Sequence, residues 1–122
     1  MVEDHKLFRF EDFEVWQRSA DIGFKLNNIA DGLEEKRRYR FAEQLRAAAL
    51  SISNNIAEGS GSSSTSEFRN FLNFARRSTF ECANMLLIFR RQNLVATESV
   101  QELLIELNQI SRMITAFSRS LH

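Results

Sequence analysis

The chain has 122 residues, a formal charge of zero, 43% apolar and 26% charged residues, which fits one globular domain with a real core and excludes disorder. There is no proline where average usage gives roughly six, so long unbroken helices are expected. The single cysteine, Cys82, rules out an intrachain disulfide, and the longest wholly apolar run, Met85 to Phe89, is far short of the ~20 residues of a membrane-spanning helix.

Charge is unevenly placed. Residues 1–35 hold four basic and nine acidic side chains, a net of −5, residues 36–91 hold ten and four, a net of +6, and residues 92–122 hold two and three, a net of −1. Thirteen of the sixteen basic residues are arginine, whose planar fork suits phosphate and carboxylate contacts better than lysine's point charge. Met1 to Phe10 carries Glu3 and Asp4 and lacks an apolar run, so it does not read as a signal peptide and a cytoplasmic location is expected.

The first helix is expected over about residues 11–31. Val15, Ile22, Leu26, Ile29 and Leu33 recur at helical spacing and make one stripe. Phe13, Trp16, Ala20 and Phe24 make a second on another flank, more apolar surface than a bundle core needs, so Phe13, Trp16 and Phe24 are candidate oligomer contacts. Asp31-Gly32 reads as the stop and Leu33 to Arg38 as a polar connection.

A second helix over about 40–58 carries Phe41, Leu45, Ala48, Ile52 and Ile56, flanked by Ala47, Ala49 and Ala57, which allow close helix approach. The serine-rich segment Gly59 to Ser66 follows. Ser64 and Glu67 within it have capping-box spacing, so a structured turn is expected there rather than a flexible linker. The third helix, about 65–92, places Phe68, Phe71, Leu72, Ala75, Thr79, Cys82, Leu86 and Phe89 on one face. The fourth, about 98–121, alternates three and four through Val100, Leu103, Leu107, Ile110, Ile114, Phe117 and Leu121. Four amphipathic helices with short connections predict an all-α, up-and-down antiparallel four-helix bundle occupying the whole chain as one domain.

Residues for chemistry are scarce. The only histidines, His5 and His122, are near the termini, so no metal ligand set is read, and Ser51, Ser53 and Ser78 have no internal histidine as base. The glycines match neither a phosphate loop nor a dinucleotide fingerprint, and no cofactor or small-molecule substrate is expected. Glu58 and Glu81 could form an acid–base pair if two helices brought them together, but such glutamates more often cap helices or pair with arginine, so no catalytic residue is assigned. Cys82 falls in an apolar stripe and reads as a buried, inert thiol. Most of the eleven phenylalanines read as core, while Phe8, Phe10, Phe74 and Phe80 fall off the stripes.

The candidate functional residues are arginines. Arg37, Arg38 and Arg40 cluster before the second helix, Arg46 lies within it, and Arg69, Arg76, Arg77, Arg90 and Arg91 follow along the third. They serve either as a solvated face with ion pairs to the acidic first helix, or as a surface for nucleic-acid phosphates, with Arg37, Arg38, Arg40, Arg46, Arg69, Arg76 and Arg77 the main candidates. The sequence pI of about 6.7 is lower than that of most dedicated nucleic-acid domains.

At Ser51-Ile-Ser-Asn-Asn-Ile-Ala-Glu-Gly59 the chain resembles the bacterial four-helix-bundle proteins encoded in intervening sequences of large-subunit ribosomal RNA genes, which are distantly related to accessory proteins of diversity-generating retroelements. The resemblance extends through Phe13, Val15-Trp16-Gln17, Gln44-Leu45-Arg46 and Ala48 to Glu67-Phe68, Phe71-Leu72, Ala75, Ser78 and Glu81. It departs at Ser53, where proline is usual, at Ser62 or Ser63, where an arginine often follows the glycine, and at Arg77, where a glycine often precedes the serine. The second departure weakens a phosphate-binding role for that loop.

The resemblance implies a homopentameric ring without established catalytic activity. From the retroelement relatives, which partner a reverse transcriptase and bind nucleic acid, it implies RNA or DNA as the leading partner. The alternative is a protein-interaction scaffold that binds no nucleic acid. Asn55, Glu58, Gly59, Ser78 and Glu81 belong to the matched motifs. Asn55 and Glu58, one turn apart, are read first as a structural lock on the following loop or a neighbouring subunit, and second as the floor of a recognition site.

Overall fold

The computed structural model describes residues 6–122, so His5 and the first half of the Met1–Phe10 segment lie outside the described residues. A short 3-10 turn, Arg9–Asp12, leads into four helices: α1 (Glu14–Glu35), α2 (Tyr39–Ser60), α3 (Thr65–Arg91) and α4 (Thr97–Ser120). Among the described residues there is no strand, and no helix is long and apolar enough to cross a membrane. The three connections are three to five residues long, which forces consecutive helices to run antiparallel. Each helix packs along its sequence neighbour, and α4 returns against α1 over a smaller contact.

The buried faces are the ones the helical spacing selects. Ile22, Leu26 and Leu33 of α1, Leu45, Ile52 and Ile56 of α2, Leu72, Leu86 and Phe89 of α3, and Leu107, Ile110 and Ile114 of α4 are almost wholly buried. Ser64 Oγ accepts a hydrogen bond from the Glu67 amide at 3.1 Å, which is the half of the expected capping box that starts α3.

Two boundaries differ from the sequence reading, each for a physical reason. The chain before Glu14 forms its own 3-10 turn, in which the Glu11 carboxylate accepts from the Phe8 amide, so α1 starts later than residue 11. Its end lies beyond Asp31-Gly32, because Leu33 is a core side chain at 1% exposure and the helix must continue to seat it. The stop is Arg37, whose φ of 62° is left-handed. The Arg38 amide then reaches the Leu33 carbonyl and the Arg37 amide the Glu34 carbonyl, closing the helix end without glycine. Asn93, with φ 58°, ends α3 in the same way, the Leu94 amide bonding the Phe89 carbonyl.

Cys82 is fully buried on α3, and burial, followed by the nearby Glu81 charge, pushes its thiol from the ordinary 9.0 up to about 12. Because the unfolded thiol ionises first, this group's contribution to stability is lost as pH rises through that window. An alkylating reagent at mildly alkaline pH is expected to leave Cys82 unmodified in the native protein and to label it fully in denaturant, read by mass spectrometry. Labelling at equal rates in both states would show that α3 is not packed as described.

Candidate nucleic-acid interface

Arg69 and Arg76 are seven residues apart on α3, and Arg112 and Arg119 are seven apart on α4. Seven residues make nearly two turns, so each pair shares a face about 10 Å apart along its helix. Antiparallel packing of α3 on α4 sets these rows side by side. One cleft of about 360 Å³ is lined by Arg69, Arg76 and Arg119 with Asn73, Thr115 and Ser118. A second, of about 330 Å³, is lined by Arg76, Arg112 and Arg119 with Ser111 and Thr115. Shared side chains make them one groove with four guanidinium groups and no carboxylate among its lining residues.

The arginines are held differently. Arg69 donates from Nε to the Ser118 carbonyl at 3.2 Å and from its guanidinium to the Leu121 carbonyl, satisfying the last carbonyls of α4. Arg76 lies on the Phe80 ring, 4.9 Å from its centroid. Arg112 and Arg119 are exposed, and among the described residues no hydrogen bond or ion pair engages them.

The arginines singled out in the sequence do not form one patch. Arg37, Arg38 and Arg40 sit at the opposite end of the bundle, where Lys36 Nζ also bonds the Leu94 carbonyl and where Arg90 and Arg91 end α3. Arg46 is committed to α1, 2.6 Å from Asp31 and 2.7 Å from Glu34. The hydrogen bond to Glu34, then that to Asp31, raises its pKa further. Only Arg69 and Arg76 reach the α3–α4 groove, and Arg77 lies in another cleft. Arg112 and Arg119 were missed, although residues 68–80 and 107–122 contain arginine and no acidic residue. That local absence is a signal which totals over larger segments conceal.

Arg77 lines an open cleft of about 490 Å³ between α2 and α3 with Ser51, Asn55, Phe74, Ser78 and Glu81. Asn55 Nδ2 donates to the Ser51 carbonyl at 2.8 Å and to Ser51 Oγ at 2.9 Å. Ser51 Oγ lies 2.8 Å from Ser78 Oγ, which donates to the Phe74 carbonyl at 3.1 Å. Because the Ser78 proton goes to Phe74, Ser51 must be the donor between the two hydroxyls. The Ser51–Ser78 bond ties α2 to α3, and Asn55 orients Ser51 from one turn along the same helix. Glu58 does not join it, and its side chain is exposed.

Gly59 abuts Phe68 and Phe71 while Ser51 faces Ser78. Glu58 and Glu81 are therefore about ten residues apart along α3, roughly 15 Å, and form no acid–base pair. Among the described residues no three His, Cys, Asp or Glu side chains are placed to hold a metal ion.

The second apolar stripe of α1 divides. Phe13 packs edge-on against Phe117 at 4.8 Å and near Phe68 at 6.4 Å, and Trp16 is covered by Phe10 at 5.1 Å. Both are half-buried within their own chain, so packing inside the bundle already takes up part of this stripe. Phe24, 69% exposed, stands in solvent with Ala20 beside a cleft between α1 and α2 that also contains Leu50 at 60%.

A family model described as the 23S rRNA-intervening sequence protein matches residues 11–116. The chain belongs to this family. A crystal structure of a protein with unknown function from the S23 ribosomal protein family of Bacteroides thetaiotaomicron superposes on it with a TM-score of 0.82. The two are 20% identical over 87% of this chain and 99% of that one, a likeness that supports the all-α fold. No curated protein matches the chain.

Proposed function

We propose that this member of the 23S rRNA-intervening sequence family is a non-enzymatic, self-assembling cytoplasmic bundle that binds RNA or DNA backbone through the α3–α4 groove. The observation that carries the reading is the acid-free groove in which Arg69, Arg76, Arg112 and Arg119 converge from two helices. Guanidinium groups form charge-assisted, bidentate contacts with phosphate, and their planar fork is pre-organised for it. Sequence discrimination is not expected from such contacts, which position a strand without reading it.

Assembly is supported by Phe24 and Leu50, large side chains a monomer leaves in water beside the α1–α2 cleft. The homopentameric ring implied by the family resemblance would cover them and repeat the groove five times. Five individually weak grooves on one closed body gain affinity through effective concentration.

Light scattering of the full chain, alone and with a mixed RNA and DNA pool at two salt concentrations, tests both parts. The expected result is a particle of about five times the 14.2 kDa chain mass that gains nucleic-acid mass at low salt and loses it at high salt, as displaced counterions require. A pentamer indifferent to nucleic acid would refute the binding reading and leave a protein scaffold. A stable monomer would refute the ring.

A further inference from the structure

Beside the arginines of the α3–α4 groove lies a small apolar cleft of about 100 Å³ lined by Phe80, Ala83, Leu104 and Leu107, with the exposed Asn108 at its rim and the buried Ser111 in its wall. Ser111 also lines the arginine groove, so the two adjoin at this residue. Phe80 is 56% exposed and carries the Arg76 guanidinium on its ring. Arg76 therefore belongs both to the basic groove and to an exposed aromatic platform one helical turn away, about 6 Å along α3.

The cleft is far smaller than the ~300–1,000 Å³ of a small-molecule site, which argues against a free metabolite and fits a flat ring laid against one wall. Phosphate-binding charge, an exposed aromatic face and an amide at the rim are together the elements that hold unpaired nucleotides. In a duplex each base is already stacked on both faces, so Phe80 could add nothing to it. A base whose phosphate rests at Arg76 can reach Phe80, and the Asn108 amide offers donors and an acceptor to its edge.

We propose that the groove takes single-stranded nucleic acid, with backbone phosphates on Arg69, Arg76, Arg112 and Arg119 and one unstacked base lying on Phe80 in the adjoining cleft. The proposal rests on the nucleic-acid reading above and narrows it to unpaired strands.

Fluorescence anisotropy of the full chain with a labelled short single-stranded RNA, the single-stranded DNA of the same sequence and the blunt RNA duplex tests it. Both single strands are expected to bind more tightly than the duplex. Phe80→Ala is expected to weaken single-strand binding at least about fivefold, the low end for one base–aromatic stack, and to weaken it more than duplex binding, which feels only the lost support of Arg76. Phe80→Trp, which keeps the platform, is expected to retain single-strand binding, and the thermal midpoints of both variants establish that they fold. Equal affinity for single strand and duplex, or a Phe80→Ala variant that binds single strands as wild type does, overturns this proposal and leaves the basic groove standing. Failure of the wild type to bind any of the three probes overturns both.

Discussion

Reversing both Arg112 and Arg119 to glutamate is expected to weaken nucleic-acid binding about a hundredfold or more at low salt, since each charge-assisted hydrogen bond contributes roughly 1.5–3 kcal/mol and each 1.4 kcal/mol is about tenfold. The salt dependence is expected to flatten too, by about 0.7–0.9 in log–log slope for each phosphate no longer neutralised. Fold stability is expected to change by no more than about 0.5 kcal/mol, because both side chains are exposed and nothing in the described structure holds them. Arg69 is a poorer probe, since its replacement also strips hydrogen bonds from the end of α4. Arg46→Ala is the matched control. Its guanidinium is already satisfied by Asp31 and Glu34, so affinity is expected to stay unchanged. Titrations at two salt concentrations read both quantities, and wild-type affinity in the doubly reversed variant would remove the groove as the binding surface.

The second large effect is on stability. Gly59→Val is expected to cost about 3 kcal/mol, the upper part of the usual range for overpacking. A Cβ at Gly59 would lie 2.8 Å from Phe68 Cδ1 and 2.8 Å from Phe71 Cβ. The Phe71 atom is fixed to the backbone, so α3 must move away from α2. That displacement works against the Ser51–Ser78 hydrogen bond farther along the same pair of helices. Gly32→Ala is expected to have the opposite sign. Its Cβ meets nothing within 4 Å, and alanine replaces glycine inside a helix, a gain of roughly 0.5–1 kcal/mol. Urea unfolding midpoints at unchanged slope measure both. If Gly59→Val unfolds with the wild type, the close approach of α2 and α3 is not what Gly59 provides.

These two glycines show where sequence reasoning held and where it failed. Gly32 read as a helix stop and Gly59 as the first residue after the second helix. Gly32 instead lies inside α1 and Gly59 inside α2, which Gly61 follows. Helix termination depends on what the next residues must do. Leu33 had to be buried, so α1 ran on to Arg37, where an arginine accepted the left-handed conformation. Periodicity alone identified Phe13 and Trp16 as a surplus stripe, and it could not show that Phe10, Phe68 and Phe117 pack against part of it. Those partners come from the turn before α1 and from two other helices, a placement no local window contains. Phe80 read more simply: it fell off the stripes and is exposed.

By itself the sequence determined the helices, their buried faces and the serine cap of α3, because helical spacing and capping are relations among residues a few positions apart. The motif Ser51 to Gly59 likewise marked the family that residues 11–116 match. Only the tertiary structure decided which arginines act together. Arg46 was neutralised by α1, and the cluster before α2 went to the far end of the bundle. Arg69 and Arg76 were joined by Arg112 and Arg119 from more than thirty residues away. Charge is long-ranged and blind to sequence separation, so its grouping is set by how helices dock and not by the order in which residues occur.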